Sequence, residues 1–220
     1  MAKAVYLGSR ALSTARLTRY PFSIVRLRGV HTECDLAGSR FAELVNRSRP
    51  LLVDGWLFRS DELLQQHAAC IREHFRIHDA NQQRVEQLIS SARGQADVVV
   101  GVHIRHGDYA SYENGKYFYQ VSEYVAAMHG VRQQLSPRRV VFLVCSNAKF
   151  TPDVFDGLNV VYGTGDVIED LYSFAETDLL MGPPSTFTLW ASFYGQVPLS
   201  MMMTADQEID TSAVQQRFAA

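Results

Sequence analysis

Cysteines, long apolar runs and an excess of one charge are all scarce in this sequence of 220 residues. The three cysteines, Cys34, Cys70 and Cys145, lie far apart and form no C-x-x-C pair, so we expect neither a disulfide framework nor a zinc site. No apolar stretch approaches the roughly 20 residues that a membrane-spanning helix needs. The formal net charge of −2 argues against a nucleic-acid-binding protein, which usually has a strong basic excess.

The overall composition is that of an ordinary globular protein, with 47% apolar and 20% charged residues. A chain of this length can bury a substantial core as one large domain or two small ones. We find neither internal repeats nor low-complexity tracts in it.

The N-terminal segment is basic, with no acidic residue before Glu33. Three interpretations remain open: a transit peptide, an arm that contacts an anionic membrane surface, or a basic face whose acidic partners lie elsewhere in the fold. The strand-like pattern at 23–27 favours the folded interpretation. We therefore expect a cytoplasmic protein, with peripheral contact at the cytoplasmic membrane face as the alternative. The basic residues are Lys3, Arg10, Arg16, Arg19, Arg26 and Arg28.

Hydrophobic periodicity predicts an α/β fold. Nearly continuous apolar runs are typical of strands buried on both faces of a parallel sheet, and their alternation with helices indicates βαβ units. The predicted strands are 23–27, 51–57, 97–104, 140–145, 159–162, 178–182 and 197–201. The predicted helices are 61–75, 81–92, 117–135, 170–177 and 185–194, the first of them capped by Ser60.

A change of pattern at Gly94 suggests two parts: a shorter N-terminal α/β part, 1–93, and a Rossmann-like domain, 94–220. In such sheets ligands bind beyond the carboxyl ends of the strands. The loops that begin at Arg105, Ser146 and Gly182 meet this condition, and we expect them to form the site.

The sequence H-I-R-H-G-D-Y at 103–109 carries the strongest chemical signal. A guanidinium at Arg105 can grip a diphosphate with two parallel hydrogen bonds, and Gly107 allows a tight turn or a close approach to a ligand. Asp108 either orients Arg105 or forms a structural ion pair with it. His103 alternates with apolar residues and is either a ligand contact or a core histidine. No cluster of further ligands supports a metal, so we expect none.

Two other loops supply short polar side chains. Ser185, after two prolines, is predicted to cap a helix whose free amides and positive dipole end would form an anion site together with Thr186 and Phe187. The alternative is an ordinary capped helix. Ser146 and Asn147 follow a buried strand and either contact a base or ribose or simply form a turn.

Glu113 lies in the loop that follows Arg105. Transfer of a group to a hydroxyl needs a general base to accept the proton of that hydroxyl. Glu113 and Asp108 are the candidates, and the alternative for Glu113 is a solvated loop carboxylate.

These motifs together resemble those of the α-1,2-fucosyltransferases over about residues 50 to 200. The sequence at 103–109 is similar to H-x-R-R-G-D-Y, the sequence C-S-N at 145–147 to T-S-N, and S-T-F-T-L-W-A-S-F at 185–193 to S-T-F-x-x-W-x-A-Y. The resemblance implies a two-domain GT-B glycosyltransferase that transfers L-fucose from GDP-fucose to a hydroxyl of a glycan, with inversion and without a metal. It also implies that Arg105 contacts the donor diphosphate, that Ser185 and Thr186 line the phosphate site, and that Glu113 is the base.

The sequence departs from this family at two points. His106 replaces the second arginine of the first motif, and no Gly-rich G-N-Q-L-F-Q segment is found, so we expect a reduced N-terminal part. Two other functions therefore stay open. One is a histidine-type phosphatase, in which R-H-G-D at 105–108 supplies His106 as a covalent nucleophile. The other is a truncated paralogue that binds GDP or a glycan without turnover.

Overall fold

The computed structural model describes residues 23–27, 32–47, 50–148 and 150–217. The chain divides into two compact units, Met1–Phe75 and Arg76–Ala220. The division falls before the predicted boundary at 93/94. The physical reason is that the helix Asp79–Gln95 buries Val85, Ile89 and Ala92 against the sheet of the second unit.

Two short parallel strand pairs and two helices make up the described part of the first unit. Strand β1 pairs with β3, and β2 pairs with β4. Ser60 caps the second helix as predicted, because its hydroxyl accepts the amide hydrogen of Leu63. The elements are β1 (Ser23–Arg26), β2 (Cys34–Asp35), α1 (Ser39–Val45), β3 (Leu51–Asp54), β4 (Phe58–Arg59) and α2 (Asp61–His74).

Arg26 belongs to the basic N-terminal segment and has an acidic partner in the fold. Its Nε lies 2.7 Å from Oδ2 of Asp54, in the paired strand β3. The other basic residues of the segment, Lys3, Arg10, Arg16, Arg19 and Arg28, lie outside the described residues. Contact of this segment with a membrane therefore stays a prediction. Among the described residues, no helix has the length and apolar character needed to cross a bilayer.

The second unit contains a five-stranded, fully parallel sheet in the order β7-β6-β5-β8-β9. This confirms the predicted α/β class and parallel sheet. Short 3-10 turns lie at Gly107–Ala110, Tyr112–Gly115 and Pro152–Phe155. The other elements are α3 (Asp79–Gln95), β5 (Val98–Ile104), α4 (Val121–Gln134), β6 (Val140–Ser146), β7 (Val160–Tyr162), α5 (Val167–Phe174), β8 (Leu179–Gly182), α6 (Thr186–Gly195), β9 (Leu199–Met201) and α7 (Ser212–Arg217).

Both faces of this sheet are covered, as the valine-rich run of β5 indicates. Val100 and Val102 belong to a core cluster that includes Met128 of α4, whereas Val99 belongs to a second cluster with Ile89 of α3. Every residue of β5 is buried. Because burial of apolar area contributes about 25 cal/mol per Å², this central strand anchors the loop that follows it.

Several helix boundaries differ from the predicted ones, and capping explains where α4 and α5 begin. Helix α4 begins at Val121 rather than at 117, because Gln120 and Glu123 form a capping box around its first turn. Helix α5 begins at Val167 rather than at 170, because the Asp166 carboxylate accepts the amide hydrogens of Ile168 and Glu169 in its first turn.

A buried carboxylate joins several elements at the amino-terminal edge of the sheet. Asp178 lies just before β8 and accepts a hydrogen bond from the amide of Val99, at 2.9 Å. It also forms ion pairs with Arg93 of α3, at 3.0 Å, and Arg217 of α7, at 2.7 Å. The side chain of Asp178 is only 2% exposed. We call Asp178, Arg93 and Arg217 the Asp178 cluster.

Candidate functional site

The three loops that the sequence singled out end at the same edge of the sheet. Ile104, the last residue of β5, pairs with Ser146, the last residue of β6. On the other side, β8 runs so close to β5 that a β-carbon on Gly182 would lie 2.8 Å from the carbonyl oxygen of His103. The loops at 105–109, 146–148 and 183–186 therefore begin side by side.

Asn147 ties the loop after β6 to the loop after β5. Its Oδ1 accepts the backbone N–H of His106 at 2.9 Å, and its Nδ2 donates to the carbonyl oxygen of the same residue at 3.3 Å. The Asn147 amide is thus engaged with the backbone of the neighbouring loop. The sequence suggested contact with a base or ribose or a simple turn, and the structure adds this third role, which depends on a residue far away in the chain.

Tyr109 ties the same loop to the one after β8. Its ring is buried under the Arg105 guanidinium, whose Cζ lies 5.5 Å from the ring centroid. Its hydroxyl donates to the carbonyl oxygen of Pro184, at 2.5 Å. Arg105 and the Pro184–Ser185 turn therefore contact different parts of the same tyrosine side chain. Sequence reasoning quoted Tyr109 as part of a motif but gave it no role.

Arg105 forms the ion pair with Asp108 that the sequence left open. Its Nη2 lies 3.0 Å from Oδ1 and 3.1 Å from Oδ2 of Asp108. The two side chains are 36% and 60% exposed. Exposed pairs of this kind contribute about 1 kcal/mol or less. The pair therefore orients the guanidinium without preventing its exchange to another anion.

Ser185 caps helix α6, as predicted. Its hydroxyl accepts the amide hydrogen of Phe187, and the first bond within the helix runs from the amide of Leu189 to the carbonyl oxygen of Ser185. The amides of Thr186 and Thr188 precede that first bond, so they have no acceptor within the helix. The cap thus satisfies one amide of the first turn, and the positive end of the helix dipole lies beside Tyr109 and Arg105.

His103 and Phe187 are core residues at this edge. The His103 ring is 6% exposed and lies 5.1 Å from the ring of Phe187. Its Nδ1 is buried and makes no hydrogen bond. Burial, assisted by the charge of Arg105, lowers the pKa of His103 to about 4, so the ring is neutral at physiological pH. Of the two alternatives for His103, the structure favours the core histidine.

His106 is held by backbone and ring contacts. Its Nε2 donates to the carbonyl oxygen of Tyr119, at 2.9 Å, and its ring stacks on Phe118 with centroids 4.6 Å apart. A carbonyl oxygen only accepts, so Nε2 carries the proton in the neutral ring. His106 thus has a clear structural role in fixing the loop that carries Arg105.

A cavity of about 390 Å³ opens at the ends of β6 and β7. Its polar side chains include Ser146, Cys145 and Asp170. Burial raises the pKa of the Asp170 carboxyl and holds that of the Cys145 thiol well above its ordinary value. Asp170 also accepts the amide hydrogen of Gly165. Sequence reasoning missed this cavity, since Asp170 was interpreted only as a helix start.

Glu113 lies in an exposed loop with an unusual backbone. Glu113 and Asn114 both adopt left-handed φ values, 47° and 60°. Non-glycine residues adopt this conformation rarely, and Asn more readily than Glu. Glu113 is exposed to solvent, and its role as a general base stays a prediction. Among the residues that the structure describes, no three His, Cys, Asp or Glu side chains form a group that could hold a metal ion.

The sequence matches no protein-family model and none of the curated proteins. Solved structures do match. NodZ alpha-1,6-fucosyltransferase soaked with GDP-fucose superposes with a TM-score of 0.53 at 19% identity, over 70% of this chain and 55% of NodZ. A mutant of Arabidopsis thaliana FUT1 in complex with GDP gives 0.52 at 13% identity, over 91% of this chain and 54% of FUT1. POFUT1 in complex with GDP-fucose gives a TM-score of 0.52 at 15% identity, over 76% of this chain and 59% of POFUT1.

The chain spans only a little more than half the length of these solved structures. Their sequence identities to it are low, so the superposition concerns the path of the backbone and the arrangement of its elements. The chain therefore has an α/β fold like that of the GT-B fucosyltransferases.

Proposed function

We propose that this protein binds a nucleotide-sugar donor and transfers the sugar, L-fucose from GDP-fucose, to a hydroxyl group of a glycan. One observation carries the proposal. Tyr109 holds the Arg105 guanidinium and the N terminus of α6 together at the carboxyl edge of a parallel sheet. A cation and a helix N terminus at this place form the usual combination for binding a diphosphate.

The Arg105–Asp108 pair suggests how the diphosphate enters. A guanidinium donates two parallel hydrogen bonds to a phosphate as well as to a carboxylate. Because the pair with Asp108 is partly exposed, a phosphate can replace the carboxylate at little cost. The amides at the start of α6 then supply hydrogen bonds to the other phosphate.

The cavity at the ends of β6 and β7 suits the nucleobase. It adjoins Ser146, whose strand neighbour Ile104 leads directly into Arg105. The Asp170 carboxylate can accept two hydrogen bonds from adjacent N–H groups, which guanine offers and adenine and uracil do not offer in this arrangement. This favours a guanosine diphosphate donor.

Fucose as the transferred sugar is supported by the resemblance and by the solved structures. The NodZ structure was soaked with GDP-fucose, the POFUT1 structure is a complex with GDP-fucose, and both have a fold similar to that of this chain. The motifs of the sequence favour a transfer to the 2-hydroxyl of a galactoside. The acceptor and the linkage belong to this proposal.

The transfer proceeds as a displacement with inversion. The acceptor oxygen forms a bond to the anomeric carbon while the bond from that carbon to the phosphate oxygen breaks, and GDP leaves. The proton of the acceptor hydroxyl passes to a general base, for which Glu113 is our candidate. Arg105 and the helix dipole stabilise the charge on the departing diphosphate, and we propose that no metal is needed for this.

Calorimetric titration of GDP, with UDP and ADP as controls, tests the donor site. We expect selective GDP binding that is lost in Arg105→Ala. Arg139→Ala is the matched control, because Arg139 also forms an exposed ion pair, with Asp97, but lies at the opposite edge of the sheet. Absence of binding of every nucleotide would contradict the proposal.

A second assay separates binding from turnover. Release of GDP from GDP-fucose in the presence of galactoside acceptors would support transfer, and Glu113→Gln should lower the rate while GDP binding is retained. Binding of GDP without turnover on any acceptor would instead favour the non-catalytic paralogue.

A further inference from the structure

Tyr109 occupies an unusual position between two loops that are remote in the sequence. Its hydroxyl bonds to the backbone of Pro184, a residue 75 positions away. The ring of Tyr112 stacks on the outer side of the Tyr109 ring, with centroids 5.3 Å apart. The residue is only 9% exposed. A tyrosine that merely filled space would not need a hydroxyl group directed at a loop carbonyl.

We propose that Tyr109 is a positioning residue that sets the distance between Arg105 and the N terminus of α6, so that both phosphates of a nucleoside diphosphate are bound at once. This inference rests on the proposed donor site and adds a residue to it. Tyr109 itself does not contact the reacting atoms in this proposal. It acts through Arg105, which lies over its ring, and through Pro184, which directly precedes the Ser185 cap.

The physical basis is preorganisation. Arg105 has several rotatable bonds, and ordering a long side chain costs free energy each time a ligand binds. The aromatic face restricts the guanidinium before the ligand arrives, while the exposed pair with Asp108 is displaced by the ligand. The hydroxyl then fixes the ring relative to the helix. Burial raises the pKa of Tyr109, so the hydroxyl stays protonated and remains a donor over the whole physiological range.

This role makes a prediction that ordinary stabilisation does not make. A nucleoside monophosphate uses only one of the two anion-binding groups, whereas a diphosphate uses both. Weakening the link between the groups should therefore reduce affinity for the diphosphate and leave affinity for the monophosphate nearly unchanged.

The test is calorimetric titration of the full chain with GDP and GMP. In Tyr109→Phe we expect the affinity for GDP to fall about tenfold, the effect of one well-placed hydrogen bond, and the affinity for GMP to change by less than about twofold. Replacement of Tyr109 by 4-fluorophenylalanine, which fills the volume of the hydroxyl but donates nothing, should give the same result if the Phe variant folds poorly.

Tyr119→Phe is the matched control. The Tyr119 hydroxyl is also buried and also donates to a backbone carbonyl, that of Met202, at 3.0 Å, but it does not join the two anion-binding loops. Its loss should leave the ratio of GDP to GMP affinity unchanged. Equal weakening of both ligands by Tyr109→Phe, or no change in either, would overturn the inference. If the wild-type chain bound neither nucleotide, the donor site itself would be refuted and this role with it.

Discussion

Asn147 and Gly107 are in such close contact that only glycine fits. A β-carbon at position 107 would lie 2.9 Å from Nδ2 of Asn147, the atom that donates to the carbonyl oxygen of His106. Gly107 also has a φ of +60°, a conformation that side chains other than those of Asn and Asp rarely adopt. The bond network of Asn147 and the turn after Arg105 therefore depend on each other.

Gly107→Ala should disrupt this turn and weaken nucleotide binding. We expect the free energy of unfolding to fall by about 1–2 kcal/mol, from the strained φ and the displaced Asn147 amide. Affinity for GDP should fall by more than this alone implies, since Arg105 moves with the turn. Urea unfolding and calorimetry on the same preparation measure both effects.

Gly130→Ala serves as the control for that variant. Gly130 lies within α4, and a β-carbon there meets no atom within 4 Å. The free energy of unfolding of this variant should rise by about 0.5–1 kcal/mol, the usual difference between alanine and glycine in a helix. Its affinity for GDP should be unchanged. Equal behaviour of the two variants would mean that the turn at Gly107 has no special role.

Asp108→Asn separates two roles for this carboxylate. If Asp108 only orients Arg105, removing its charge frees the guanidinium for phosphate, and affinity for GDP should rise about two- to fivefold. If Asp108 is the general base, the affinity rises but transfer is lost. Comparison of GDP affinity with the rate of GDP release from GDP-fucose distinguishes the two, and a fall in affinity would contradict both.

His103 should make stability depend on pH. Its pKa in the folded protein is about 4, below the ordinary value of 6.5, so the unfolded chain binds more protons between these values. The contribution of the neutral ring is complete above about pH 6.5 and is lost as the pH falls towards 4. Between pH 7 and pH 5 we expect a loss of about 2 kcal/mol from this residue.

The measurement compares the wild type with His103→Phe, which keeps the aromatic contacts but does not titrate. Both should carry Trp56→Phe, so that Trp190, in the second unit, reports alone on unfolding of that unit. The variant should lose about 2 kcal/mol less than the wild type on acidification. Parallel losses in the two proteins would show that another group is responsible.

His106→Ala tests the phosphatase alternative. Replacement of a covalent nucleophile abolishes activity. Replacement of a residue that only fixes the loop leaves part of the activity. Because His106 Nε2 donates to Tyr119 and its ring stacks on Phe118, we expect weaker GDP binding, by about tenfold or less, and retained selectivity for GDP. Phosphatase activity that disappears in this variant would establish the alternative.

Asp178→Ala should destabilise the second unit without affecting the donor site. The change leaves the amide of Val99 unpaired in the interior and removes the partner of Arg93 and Arg217. We expect a loss of about 3 kcal/mol in the free energy of unfolding. Arg217→Ala, whose side chain is 66% exposed, should lose only about 1 kcal/mol. Affinity for GDP of the folded protein should be unchanged in both.

Local sequence patterns predicted the helices and strands well. They did not predict the features that depend on contacts between residues far apart in the chain. The valine run of β5, the Ser60 cap and the Ser185 cap each depend on residues close in sequence, and the structure confirms them. The Arg105–Asp108 pair, three residues apart, was likewise anticipated as an alternative. The compact units divide at 75/76 rather than at the predicted boundary of 93/94, and a helix reveals its amphipathic face in the sequence but not the sheet against which it packs.

The roles of Asn147, Tyr109 and Asp170 lay beyond the reach of sequence reasoning. Asn147 bonds to a residue 41 positions away, and Tyr109 to one 75 positions away. Asp170 looked like one of several acids at a helix start, and only the cavity beside it distinguishes it from its neighbours. In each case the sequence shows the residue itself, but not the distant residue or the cavity that it contacts.

The Asp178 cluster secures the sheet at the edge opposite to the loops that surround Arg105. The residues that stabilise the second unit and the residues proposed to bind a ligand therefore lie at opposite ends of the strands. A mutant library over residues 105–109 and 183–186 that keeps Gly107 and Tyr109 would explore new donor preferences while the Asp178 cluster stays unchanged. Laboratory evolution can therefore select for the stability of the second unit and for its donor specificity in separate steps.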